Sequence, residues 1–235
     1  MMSEPGYTPL LSVLMPTLVR REELFLKLAG KIISQAEAVD EPVEVVGLQN
    51  TGERSLAEYR EMLLRDARGT FLCFVDDDDD VPDIYVHQIT RALTVNPDAD
   101  VLSWIQDSTN LQARITLFGL QYLGAPWPPV TVNGELTYLR VLSHMQPIRS
   151  EVARQGSFLT PGGLGFTQED QHFANSVVPL LLQRGARQVH IPQVMYTYRF
   201  MAAGHSTQEG RQPDADDSAH ERPAIDSACF RWYGA

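Results

Sequence analysis

Five consecutive aspartates, Asp76 to Asp80, directly follow the apolar run Thr70-Phe71-Leu72-Cys73-Phe74-Val75. Adjacent carboxylates repel one another, and burial penalises each, unless cations lie among them. An apolar run without alternation reads as a strand buried on both faces, at the centre of a sheet. Such a strand carries the aspartates to a sheet edge. An exposed acidic turn is the plain alternative. A central strand favours the ligand-binding edge, where hard oxygen donors suit Mg²⁺ or Mn²⁺.

The flanking pattern fits that reading. Leu10 to Met15 predicts a strand stopped by Pro16, and Glu22 to Ala38 a helix with Leu24, Leu28 and Ile32 on its buried face. A second strand covers Val43 to Leu48, and a second helix runs from Leu56 to Ala67 and closes at Gly69 as a C-cap. A helix from Ile84 to Leu93 and a strand from Val101 to Ile105 follow the aspartates. This alternation predicts an α/β fold, a Rossmann-like and mostly parallel central sheet flanked by helices. Ligands then belong at the strand ends Pro16-Thr17, Gln49-Asn50 and Asp76–Asp80. From Thr116 to Ser157 the pattern loosens. The glycine-rich Gly162-Gly163-Leu164-Gly165 then leads into a helix over Gln168 to Gln183, with short strands at Val189–Ile191 and Met195–Phe200. Residues 207–235 are polar and acidic and read as a loosely held tail.

With 235 residues and 43% hydrophobic positions, the chain supports one α/β domain. A net charge of -11 argues against broad attachment to nucleic acid or anionic lipid. Lys27 and Lys31 are the only lysines; arginine suits phosphate contacts, and a GC-rich genome gives the same bias. No apolar stretch approaches the roughly 18 residues of a membrane span. The opening residues lack a signal-peptide pattern, and Cys73 and Cys229 form no disulfide framework, so a cytoplasmic location is expected.

The segment from Ala67-Arg68-Gly69 through Val75 to Asp76-Asp77-Asp78 resembles the family 2 glycosyltransferases of GT-A fold, in which Ala-x-Gly, a strand and Asp-x-Asp follow in order. The likeness extends over roughly Leu10 to Ser206. It implies a single GT-A domain over 1–206, with a nucleotide-sugar half (1–105) and an acceptor half (106–206). By this resemblance Asp76 lies near the donor ribose, Asp77 completes the motif, and Asp78 holds Mn²⁺ or Mg²⁺ on the donor diphosphate. Pro16-Thr17 resembles the turn that lies against the nucleoside, and Arg20, Asn50 and Arg60 are assigned to the same nucleotide-sugar site. Glu169-Asp170 falls where the family keeps its catalytic pair, implying Asp170 as general base and Glu169 as its support. His205, following the Tyr-Arg signature Tyr198-Arg199, is implied as a metal ligand with Asp78.

Each assignment has a bland alternative: a solvated helix arginine for Arg60, helix-start charges for Glu169 and Asp170, an exposed loop histidine for His205. Two positions depart from the family. Gln49-Asn50 stands where many relatives carry paired aspartates, and Glu61 replaces the asparagine of Ala-Arg-Asn. The function implied is inverting, metal-dependent transfer of a hexosyl or pentosyl group from a nucleotide-diphosphate sugar to an acceptor hydroxyl on a glycan or glycolipid. Two alternatives remain open. One is a hydroxymethylated base in phage-type DNA as acceptor, approached through Arg149, Arg154, Arg184 and Arg187. The other is a non-catalytic nucleotide-sugar-binding module. Trp127, Tyr122 and Tyr138 are candidates for stacking on a sugar, with burial in the core as the competing fate.

Overall fold

The computed structural model describes residues 8–50, 52–109, 111–160, 169–199 and 229–233. In chain order they form β1 (Leu11–Leu18), α1 (Glu22–Ala36), β2 (Val43–Asn50), α2 (Leu56–Asp66), β3 (Phe71–Phe74), α3 (Tyr85–Val95), β4 (Val101–Thr109), β5 (Ile115–Phe118), β6 (Val130–Val132), β7 (Glu135–Arg140), β8 (Ile148–Arg149), α4 (Ser150–Ala153), α5 (Glu169–Gln183), β9 (Gln188–Arg199) and β10 (Cys229–Tyr233). One ten-stranded sheet runs β10-β2-β1-β3-β8-β4-β5-β7-β6, with β9 pairing β4 off that path. Its centre, β2-β1-β3, is parallel, so three strands end at one edge.

The two faces of the sheet carry separate cores, because side chains alternate along a strand. Leu11, Val13 and Met15 pack with Phe25, Leu28 and Ile32 of α1 and Tyr85 and Ile89 of α3. Leu14 and Phe74 face the other way, against Leu63 and Leu64 of α2 and Phe173 and Val177 of α5. In α1 the buried stripe is led by Phe25, not by the expected Leu24, which is 37% exposed.

Pro16 does not stop β1, which continues to Leu18 in register with Asn50. The Leu14 carbonyl accepts from the Val75 N–H, so the even positions of β1 turn their backbone groups toward β3. The β1–β3 register ends at Leu14–Phe74. The N–H that proline lacks would point past that end, and no ladder bond is lost.

Helix α2 starts in a capping box, with Ser55 Oγ accepting from the Glu58 N–H and the Glu58 carboxylate accepting from the Ser55 N–H. It ends before Gly69, which is not a left-handed cap. A Cβ there would stand 2.6 Å from the Ser12 backbone nitrogen and 2.8 Å from the Phe71 carbonyl oxygen. Glycine is needed for close approach to β1, and its N–H donates to Ser12 Oγ at 2.7 Å.

The remaining differences have local causes. The loosened stretch forms β5 to β8 and α4. The two short strands expected near the end are one, β9, whose register against β4 shifts where Pro192 and Gln193 bulge out between Ile191 and Val194. The tail is not loose throughout. Residues Cys229–Tyr233 add an antiparallel edge strand to β2, with Phe230 edge-on to Phe25 at 6.2 Å and Trp232 packed on the core. Phe230 and Trp232 alternate with Arg231, a strand pattern hidden by the acidic average of the segment.

Candidate active site

The five aspartates leave β3 at the carboxyl edge, and each is held by at least one cation or hydrogen-bond donor. Asp76 accepts two hydrogen bonds from Arg60 Nη2, at 2.7 and 2.9 Å. Asp77 accepts from Thr17 Oγ1 at 2.6 Å and from Arg21 Nη1 at 2.8 Å. The same Arg21 nitrogen lies 2.9 Å from Asp78 Oδ2. Asp79 accepts from the Tyr196 hydroxyl at 2.7 Å and the Arg199 N–H at 2.8 Å. Asp80 pairs with Lys31 at 3.1 Å and with Arg199 at 2.5 Å. Three arginines and a lysine therefore supply the cations that the run demands.

Burial and neighbours divide the run electrostatically. Burial works against the Asp76 carboxylate, but Arg60 and His144 outweigh it and hold its pKa well below the usual range. Burial and the charge of Asp76 push Asp78 up to about 6, against the pull of Arg21. Burial, joined by the charge of Asp76, raises Asp79 well above the usual range. Burial, then the charges of Asp79, Asp78, Asp76 and Asp170, raises the Tyr198 phenol to about 12. Tyr198 thus shares one electrostatic environment with both acidic segments.

Arg60 is the joint between them. Buried from α2, its Nη1 donates to Glu169 Oε1 at 2.8 Å while Nη2 holds Asp76. The first turn of α5 is thereby tied to the end of β3. Glu169 is buried in this link, whereas Asp170 is only partly buried, its Oδ1 accepting from the Gln171 N–H at 2.7 Å.

Beside the aspartates, Pro16, Thr17, Leu18, Asn50, Leu56, Asp76 and Asp77 line a cleft across the ends of β1, β2 and β3. The Asn50 amide is partly committed, accepting from the Gly52 N–H at 2.7 Å and donating to the Arg54 carbonyl at 3.3 Å. Arg20 is exposed on the turn Val19–Arg21, and its neighbour Arg21 turns inward instead. His205 and the glycine-rich loop at 162–165 lie outside the described residues.

Sequence reasoning passed over Arg21 and His144. Arg21 is one position from the arginine singled out. His144 comes from the loosened stretch, where its carbonyl accepts from the Phe74 N–H, and its Nε2 stands 3.6 Å from Asp76 Oδ2. No local pattern marks that pairing.

Among the described residues no three histidine, cysteine, aspartate or glutamate side chains converge as a metal cage. Asp78 still fits a divalent ion of the kind held by one or two carboxylates together with substrate phosphates. It is a hard oxygen donor, and the charges of Asp76 and Asp77 add to the burial that pushes its pKa up to about 6.

The arginines expected to face DNA are placed otherwise. Arg149 pairs with Phe71 at the opposite end of β3 and donates to the Ala99 carbonyl at 3.1 Å. Arg184 bridges Asp100 and Glu151, Arg187 pairs with Asp98, and Arg154 donates to the Ala67 carbonyl. These are structural contacts at or near the amino ends of the strands, where Asp100 and Arg149 flank the start of β4.

Comparison with solved structures places this architecture. The chain superposes on S. aureus TarS 1-349 in complex with UDP-GlcNAc with a TM-score of 0.55 and 17% identity, over 83% of this chain and 60% of that one. For TarS 1-349 alone the values are 0.52, 18%, 80% and 60%. This is a GT-A glycosyltransferase fold. This chain spans less than two thirds of the length of those neighbours. No protein-family model and no curated protein sequence matches the chain. No helix among the described residues is long and apolar enough to cross a membrane.

Proposed function

We propose that this chain is an inverting glycosyltransferase of the family 2 type, transferring a sugar from a nucleotide-diphosphate donor to an acceptor hydroxyl of a glycan or glycolipid. The observation that carries the reading is Arg60, which holds Asp76 and Glu169 on one guanidinium. Two carboxylate segments 93 positions apart (169 − 76) are thereby fixed at one edge of a GT-A sheet.

The donor nucleoside lies in the cleft of Pro16, Thr17 and Asn50, with its ribose toward Asp76. Asp78, with His205 from the following segment, is the proposed holder of Mn²⁺ or Mg²⁺. The ion, when bound, neutralises charge on the departing diphosphate. Asp170 accepts the acceptor hydroxyl's proton as that oxygen bonds to the anomeric carbon. The bond from the anomeric carbon to the phosphate oxygen breaks, and its electron pair leaves with the nucleoside diphosphate. Glu169, held by Arg60, fixes the first turn of α5 so that Asp170 stays free for the proton.

A neutral carbohydrate acceptor is favoured over DNA because Arg149, Arg154, Arg184 and Arg187 are already engaged, away from the carboxylate edge. The TarS complexes with UDP-GlcNAc and UDP make these the first donor and product to test. Thermal melting is measured with UDP, UDP-GlcNAc, ADP and GDP, with and without Mn²⁺. A ligand at a hundred times its dissociation constant raises the midpoint by about 5–10 °C in a domain of this size. Failure of every nucleotide and nucleotide sugar to shift it, with Mn²⁺ present, would sink the proposal.

A further inference from the structure

Away from the carboxylate edge, the loop between β5 and β6 holds an indole open to solvent. Trp127 is 73% exposed, so core packing does not account for it. Singly exposed apolar side chains are ordinary; the way this one is held is not. The Arg140 guanidinium lies 4.2 Å from the Trp127 ring centroid and 4.6 Å from that of Tyr138. It also donates to the Trp127 carbonyl at 2.7 Å, the Pro126 carbonyl at 3.3 Å and the Leu139 carbonyl at 2.9 Å. One side chain thus clamps both the ring and the backbone of Trp127, and Pro126 and Pro128 restrict the chain on either side. Among the described residues no carboxylate pairs with Arg140, so ring faces and carbonyls alone stabilise its charge.

One indole face therefore rests on the guanidinium and the other is open. A rigid aromatic surface loses little entropy when a ligand stacks on it. The ligand's chemistry follows from what is left free. Arg140 spends donors on three carbonyls, and the chain carries a net charge of -11, so a phosphate backbone finds little attraction. A pyranose with equatorial substituents offers a flat face of C–H groups, which suits the negative face of an indole. The location is remote from the carboxylates: β7, which carries Tyr138 and Arg140, stands four steps from β3 along the sheet, a lateral spacing of roughly 19 Å at the usual strand separation.

We propose that Trp127, clamped by Arg140 against Tyr138, is a remote acceptor subsite that stacks a pyranose of an extended, uncharged, equatorially linked oligosaccharide. Its place in the reaction rests on the glycosyltransferase reading; the binding itself does not.

The test is calorimetric titration of the full chain, without donor, using cellobiose, cellohexaose, chitohexaose and a single-stranded oligodeoxynucleotide. At least one hexasaccharide is expected to bind at about 10 mM or below, more tightly than the disaccharide. Trp127→Ala should weaken that binding by about tenfold or more, Arg140→Met should weaken it by loosening the clamp, and Trp127→Tyr should retain most of it. UDP binding should be unchanged in all three variants. The subsite is overturned if neither hexasaccharide binds, if Trp127→Ala leaves their affinity intact, or if only the oligodeoxynucleotide binds. Hexasaccharide binding that depends on Trp127, in a chain no nucleotide stabilises, would keep the subsite and remove the transferase reading.

Discussion

Arg21 places one guanidinium nitrogen 2.9 Å from Asp78 Oδ2, the carboxylate assigned to the metal. The same nitrogen holds Asp77 at 2.8 Å. The protein thus supplies a cation of its own to a carboxylate that would otherwise face Asp76 and Asp77 unaided. That cation only partly compensates, since Asp78 is still pushed up to about 6 by burial and its acidic neighbours.

A pH dependence follows, with a defined sign. A folded pKa above the unfolded value means that the native state binds the proton more tightly. The contribution of Asp78 to stability is therefore full below about 3.8 and lost as pH rises past about 6. Asp78→Asn should raise the melting temperature at pH 7.5 and change it less at pH 5, as scanning calorimetry would read. Metal-supported UDP binding should fall in the wild type as pH drops below about 6, because a protonated carboxyl is a poor ligand. Asp78→Ala should lose the Mn²⁺-dependent part of UDP affinity at every pH. Equal affinity with and without Mn²⁺ in wild type and variant alike would remove the metal from Asp78.

The link through Arg60 makes a separate prediction about stability. Arg60 is buried and holds two carboxylates, and removing one partner of a buried ion pair strands the other. The usual cost is about 3–5 kcal/mol. Arg60→Met should lower the denaturation free energy by about that amount, with Glu169→Gln costing less because the amide still accepts a hydrogen bond from Arg60. Urea melts of the two variants would measure this. A loss under about 1 kcal/mol for Arg60→Met would mean that the link is not formed in solution.

The parallel centre of the sheet was legible because β3 is a continuous apolar run and β1 and β2 are predominantly apolar, a signal that follows from burial on both faces. The carboxylate edge was legible for the same reason, since strand ends are easily located. What escaped is set by contacts between distant segments. His144 reaches Asp76 across 68 positions (144 − 76), and nothing near either residue encodes the meeting. Arg20 and Arg21 differ only in which side of a single turn they occupy, and a shift of one residue there decides between solvent and the Asp77 carboxylate. β10 was hidden by averaging, because its alternating aromatics follow a long acidic segment.

The pair Glu169 and Asp170 separates catalysis from architecture. Glu169 is buried and bound to Arg60, while Asp170 is partly exposed, accepts from the Gln171 N–H and acts on Tyr198 through its charge. A general base acts on a proton in flight, so its loss should depress turnover far more than ground-state affinity. Asp170→Asn keeps the shape and can still hold an acceptor hydroxyl, but cannot take its proton. Turnover of UDP-GlcNAc, or of whichever donor stabilises the fold, should drop about 10²- to 10⁴-fold with donor binding near normal. Glu169→Gln should instead lower melting temperature and cost less in rate per folded molecule, since it perturbs only the support. Turnover surviving in the Asp170 variant but lost in the Glu169 variant would exchange the two roles. If both variants melted early yet kept full activity per folded molecule, the pair would be helix-start charges with no part in the proton transfer.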